Sequence, residues 1–313
     1  MLELNAKMIV DYEYLGYAIR IMTSDAGLYN ACRKNYAISF RILSAKEMIR
    51  RKIDVTVSLT IKKKPSGIGV GYKKIGEVSG KLGVHRCYKK GNGLLYLHGK
   101  SSLEGNIKTG RFKAFLGSKK DSMPIFLRAL SLFMQSRGMF VLHCAVVAKG
   151  KNVFLLAGES GAGKTTLGIN LIRKDFFYLA DDSCLLMPGK GPRVGAFMLP
   201  NDPAPKFKVI SNYLLKSKGL PEDIIGTCRK KHFPNFIVFP KISGFKKSKL
   251  VQVSANEAVI RLIQLSQLMW LEDKAQLQCH IRAIKRLAKQ CRCFKLLAGR
   301  DRKEAAQLVA NIL

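Results

Sequence analysis

The sequence predicts an α/β protein: a strand–loop–helix core over residues 138–313, preceded by a mixed, β-rich domain over residues 1–137. Three observations predict it. An apolar run, KNVFLLAG, leads into a glycine loop, GESGAGKT, and then into a helical stretch, TTLGINLIR. A second apolar run, DFFYLADD, ends on two adjacent acids. Before Gly138 that grammar is missing, and the chain shows short alternations and Gly/Lys-rich turns instead.

The elements follow in order. KIDVTVSLTIK, residues 52–62, alternates apolar and polar side chains with the period of a half-buried strand. Residues 67–83 read as turns and short strands, and 94–97 and 111–116 as further strands. PIFLRALSLFMQSR, 124–137, has helical spacing, and Gly138 closes it. MFVLHCAVVAKG then reads as one buried strand, KNVFLLAG as a second and DFFYLADDSCLL as a third. GPRVGAFMLP reads as turn and strand, NFIVFPKI as a strand, and 256–289 as one or two helices. CFKLLAG follows as a strand and RKEAAQLVANIL as a closing helix.

Composition narrows the class. The 313 residues are 47% hydrophobic, ample for one large core or two medium ones. No run reaches the roughly 18 to 20 apolar residues of a membrane helix, and MLELNAKMIVDYEYLG carries acids where a signal peptide has a basic head. The expectation is a soluble, cytoplasmic protein with no membrane partner. The charge is +34, from 26 basic and 9 acidic residues up to Arg137 and 29 and 12 after it, so each part carries +17. A nucleic-acid binder concentrates such charge on one face or arm. An even spread also fits an anionic partner or weak attraction to polyanions in general. Eight cysteines occur without a CxxC pair; Cys279, His280, Cys291 and Cys293 come nearest to metal-ligand spacing and read as ordinary thiols in a reducing compartment.

The loop Gly158-Glu159-Ser160-Gly161-Ala162-Gly163-Lys164-Thr165 fits the pattern G-x-x-x-x-G-K-[ST]. Its glycines let successive N–H groups face one concavity, and the helix from Lys164 adds its positive end. Lys164 suits the β and γ phosphates of a nucleoside triphosphate, and the Thr165 hydroxyl suits Mg²⁺. Asp181 and Asp182 lie 16 and 17 residues beyond Thr165. Two carboxylates beside a Mg·ATP site permit a division of labour, one on the metal and one taking a proton from an incoming hydroxyl. A single metal-binding Asp followed by a turn acid is the plainer reading. His143, fifteen residues ahead of the loop, reads alone as a core histidine as readily as a functional one.

HxAVV from His143, then GESGAGKTTL, then FYLADD, at these intervals, resembles the C-terminal domain of the HPr kinase/phosphorylase family. The resemblance implies a phosphoenolpyruvate-carboxykinase-like P-loop fold and a Mg·ATP-dependent kinase acting on a serine hydroxyl of a protein, peptide or small molecule. It implies His143 and Lys164 as catalytic, Thr165 and Asp181 on Mg²⁺, Asp182 as general base, and residues 158–166 through Thr166 as the nucleotide loop. It also hints at a homo-oligomer. Glu159 stands where the family usually has Asp, Thr166 replaces a Glu, and Asp202 is only a distant candidate for the family's later Mg²⁺-binding Glu. The first 137 residues do not resemble the family's sensor domain, which points to a non-classical member. The alternative is a nucleotide-dependent switch protein without kinase activity, drawn to polyanions by its charge.

Overall fold

The computed structural model describes residues 7–36, 40–62, 70–80, 83–181, 183–196, 230–266 and 274–313. The chain divides into two units: Met1–Arg137 with Leu268–Leu277, and Gly138–Gln267 with Gln278–Leu313.

The first unit is built on one nine-stranded mixed sheet. In chain order its elements are β1 (Met8–Tyr14), β2 (Tyr17–Thr23), α1 (Ala26–Tyr36), β3 (Arg41–Ile42), α2 (Ala45–Met48), β4 (Val55–Ile61), β5 (Lys73–Gly80), β6 (Gly83–Lys90), β7 (Gly93–His98), β8 (Ser101–Asn106), β9 (Arg111–Leu116) and α3 (Ser122–Ser136). The sheet order is β3-β1-β2-β4-β9-β8-β7-β6-β5, with β2, β4 and β9 parallel and the remaining pairs antiparallel. The β1–β2 hairpin closes through Leu15 and Gly16, both at positive φ, the conformation a two-residue hairpin needs to match strand twist. Along β4, Val55, Val57 and Leu59 are fully buried, and Ile125, Phe126, Leu130 and Phe133 of α3 are buried as α3 packs on β4, β8 and β9. Residues 73–80, expected among turns and short strands, instead form one long strand paired with β6. Cross-strand pairing outweighs the low strand propensity of its glycines and lysines. The strands β1, β2, β6 and β8 and helix α1 had no expectation from sequence.

The second unit has two sheets. Its elements are β10 (Phe140–Leu142), β11 (Cys144–Lys149), β12 (Asn152–Ala157), α4 (Lys164–Ile172), β13 (Phe177–Ala180), β14 (Cys184–Met187), β15 (Arg193–Ala196), β16 (Phe236–Ile242), β17 (Lys249–Val253), α5 (Ala255–Gln264), α6 (Lys274–Gln290), β18 (Arg292–Ala298) and α7 (Arg302–Ala310). Six strands run β13-β11-β12-β16-β18-β17, with β12, β16 and β18 parallel. Three form β10-β14-β15. Alternate residues of β11 serve different cores. Ala145 and Val147 meet Leu167 and Leu171 of α4 and Ala306 of α7. Cys144 and Val146 meet Leu262 of α5, Leu287 of α6 and the three-stranded sheet. Both faces are covered, which is why β11 and β12 read as unbroken apolar runs.

Two expectations are corrected here. The run 139–150 is two strands in different sheets, broken at His143, and of 175–186 the strands Phe177–Ala180 and Cys184–Met187 likewise lie in different sheets. Periodicity cannot register such a break, because the side chains next to it, Leu142 and Cys144 in one run and Ala180 and Cys184 in the other, are all buried.

The four residues Cys279, His280, Cys291 and Cys293 do not converge. Cys279 is exposed, while Cys291 and Cys293 donate their thiols to Pro234 O and Ala288 O. The His280 ring stacks on Phe140 at 4.1 Å, and burial pushes its pKa down to about 4 from the usual 6.5. The native state therefore holds this imidazole neutral, while the unfolded chain takes up a proton below about pH 6.5. Stability should fall as pH drops from 7 to 5, with about 2 kcal/mol of that loss due to His280. Denaturant titrations at the two pH values check this: His280→Phe should flatten the dependence by that amount.

Candidate active site

Both strand breaks lie at the same place in the fold. β11 pairs with β13 and β10 with β14, so two neighbouring strands pass from the six-stranded to the three-stranded sheet side by side. At that seam the ladder lapses. The His143 N–H donates to Leu265 O at 3.1 Å, and Ser183 N–H bonds Asp181 O at 2.7 Å. Buried amides must find partners, so the lapse is filled locally. Beneath it Cys144 Sγ and Cys184 Sγ are in hydrogen-bond contact at 3.1 Å, and that contact together with burial raises the Cys184 pKa well above its ordinary value. The Cys184 thiol is therefore no nucleophile in this state.

The glycine loop leaves β12 at the carboxyl ends of the parallel strands, the usual ligand-binding edge of an open α/β sheet. Gly163, immediately before α4, has φ +93°, a conformation L-residues rarely adopt. A Cβ on Gly158 would stand 3.0 Å from Ala162 Cβ and 3.4 Å from Pro240 O, so the loop packs tightly on β16. Glu159, Ser160, Gly161 and Thr166 are exposed, with Ala162 and Gly163 half-buried.

Lys164 opens α4 and turns back under the loop. It is 6% exposed, and its Nζ bonds Gly158 O at 2.6 Å, Glu159 O at 2.9 Å and His143 Nε2 at 2.9 Å. Among the described residues three acceptors face this ammonium, which has no lone pair of its own. An ammonium can only donate, so His143 Nε2 is the acceptor of this bond. His143 anchors the far side of the lysine while the loop's carbonyls hold the near side.

Thr165, the next residue, faces Asp181 across the seam, with its Oγ1 3.3 Å from Asp181 Oδ1. The Tyr178 hydroxyl donates to the same oxygen at 2.7 Å. Asp181 is 4% exposed, and Oδ2 makes no hydrogen bond among the described residues. A hydroxyl and a carboxylate are hard oxygen donors at the separation a Mg²⁺ ion would bridge. Mg²⁺ needs only one or two protein oxygens when phosphates and water complete its shell. The donor set therefore fits Mg²⁺. Among the described residues no group of three His, Cys, Asp or Glu forms a metal cage.

Of the residues singled out from sequence, the structure joins His143 to Lys164 and Thr165 to Asp181. Asp182 and Asp202 lie outside the described residues. Two residues were missed. Tyr178 stands three positions before Asp181 and holds it. Gly168 gives the tyrosine its room, since a Cβ there would come within 2.2 Å of Tyr178 Cε2. A glycine in mid-helix was the available signal, because helices admit it at a cost that a close approach explains.

Comparison with known proteins adds a structural likeness. No protein-family model and no curated protein matches the chain. Among solved structures, the HPr(Ser) kinase/phosphatase of Coxiella burnetii is similar at TM-score 0.28 and 13% identity, over 55% of this chain and 95% of that one. The likeness is distant. The mixed α/β architecture stands on the sheets themselves, and no helix among the described residues is long and apolar enough to cross a membrane.

Proposed function

We propose that the chain is a Mg·ATP-dependent phosphotransferase of the HPr-kinase-like type, handing the γ-phosphate to a serine hydroxyl on a protein, peptide or small molecule. The observation that carries this reading is the seam. There the phosphate-loop lysine meets His143, and the next residue, Thr165, meets the carboxylate of Asp181. The motif resemblance of the three segments points the same way.

Each side chain has a task in this reading. The N–H groups of residues 159–164 and the positive end of α4 receive the phosphates. Lys164 exchanges its bonds to Gly158 O and Glu159 O for phosphate oxygens, and His143 keeps it aimed. Thr165 and Asp181 hold Mg²⁺, which when bound neutralises charge on the phosphates. Asp182, one residue beyond Asp181 on the chain, takes the proton of the acceptor hydroxyl.

The test is to mix the protein with γ-labelled ATP, Mg²⁺ and serine-containing acceptors. Label on an acceptor hydroxyl supports the proposal. ATP turnover that releases only inorganic phosphate, with ATP-stimulated and salt-sensitive polyanion binding, favours the switch reading instead.

Tyr178→Phe is expected to leave the ring packed on Gly168 while removing the bond to Asp181. The Mg²⁺ concentration giving half-maximal turnover should then rise about tenfold or more, the worth of one hydrogen bond to a charged group. Metal-free nucleotide binding should not change. A Mg²⁺ titration of turnover, beside nucleotide binding in EDTA, decides it.

A further inference from the structure

The first unit carries a channel with its own recognition chemistry. Across the face of the nine-stranded sheet away from Val55, Val57 and Leu59, strand register lines up two rows. One is Arg20, Thr56, Arg111 and Asn106. The other is Met22, Ser58, Lys113 and Glu104. Short hydroxyl side chains on β4 thus lie between long side chains on β2 and β9. The low floor and high walls leave a channel of about 700 Å³, which reaches from Ile53 to Ser58 and is flanked by Tyr72.

The channel's charge is unevenly spent. Arg20 is held by Asp11 through bonds of 2.8 and 2.9 Å. Other acids of this unit are also paired: Glu13 with Arg41 and Arg51, Glu77 with Lys74 and Arg86, and Asp25 with Lys119. Arg111 and Lys113 are exposed and have no ion pair or side-chain hydrogen bond among the described residues. They stand two residues apart on one strand, about 7 Å. An extended chain repeats its side chains on one face at that same interval, and residues 53–58 span about 17 to 20 Å of strand.

We propose that this channel binds an extended acidic peptide segment of about five or six residues. Carboxylates at alternating positions pair with Arg111 and Lys113, and the Thr56 and Ser58 hydroxyls bond the peptide's polar groups. The period of two selects an extended peptide over a compact anion. The inference holds whether or not the second unit transfers phosphate.

The test uses the full chain and a fluorescein-labelled Glu-Ala-Glu-Ala-Glu-Ala peptide, read by fluorescence anisotropy. Arg111→Ser with Lys113→Ser should weaken binding about tenfold or more, the loss expected for two charge-assisted contacts. Lys285→Ser with Lys289→Ser, which removes the same charge from the exposed face of α6, should change it less than about twofold. Ser58→Phe fills the floor without altering charge and should also weaken binding, which separates shape from electrostatics. A Glu-Glu-Glu-Ala-Ala-Ala peptide should bind less tightly. Equal losses in the α6 control would overturn the proposal in favour of diffuse attraction to a chain of net charge +34. Equal binding of the two peptides, or tighter channel-dependent binding of a single-stranded oligonucleotide, would overturn it too. ATP binding, measured in parallel, reports on the second unit alone.

Discussion

In the proposed reading, Lys164→Met is expected to bind ATP about a hundredfold or more weakly than the natural protein, while its fold survives. The lysine is a buried ammonium with acceptors on the loop and on His143. A bound phosphate would gain a point charge from this buried side chain, and removing one partner of such a pair costs several kcal/mol. Methionine keeps the length and apolar stem of the side chain, so α4 stays seated on β11 and β13. The carbonyls of Gly158 and Glu159 lose their donor, yet they belong to a loop that water reaches. Circular dichroism and thermal unfolding should therefore change little. Titration with a fluorescent ATP analogue reads the affinity. Binding within about threefold of the natural protein would remove Lys164 from the site.

Asp182→Asn leaves ATP affinity within about threefold and lowers phosphate transfer by about a hundred- to ten-thousandfold, the range of a positioned general base. The contrast with its neighbour makes the test sharp. Asp181 shares one oxygen with Thr165 and Tyr178, and its replacement by Asn should first raise the Mg²⁺ requirement. Asp182 has no such task in the proposal, so its loss should appear in transfer at saturating Mg²⁺. Single-turnover measurements with both variants separate the two. Transfer by Asp182→Asn at the natural rate would show that the acceptor's proton leaves by another route.

Much of the architecture was legible before any coordinates. The helix at α3, the strand, loop and helix around residues 152–172, and the final strand and helix all follow from helical spacing, unbroken apolar runs or the glycine loop itself. Two kinds of feature among those that escaped have a physical reason. β1, β2, β6 and β8 lie among short mixed stretches, where pairing partners rather than local propensity decide the strand. The breaks at His143 and between Ala180 and Cys184 escaped because a strand buried on both faces has no period to interrupt.

By itself the sequence determined the loop at 158–165, the acids at 181 and 182, the histidine fifteen residues upstream of the loop, and a charge of +34 divided evenly. These are local properties, written in residue order. Only the tertiary structure decided that Lys164 meets His143, that Tyr178 reaches Asp181 through the space left by Gly168, and that Arg111 and Lys113 flank a floor of hydroxyls. Each of those contacts depends on which strands pair and in what register. Register is set by the burial of whole faces and by no residue alone.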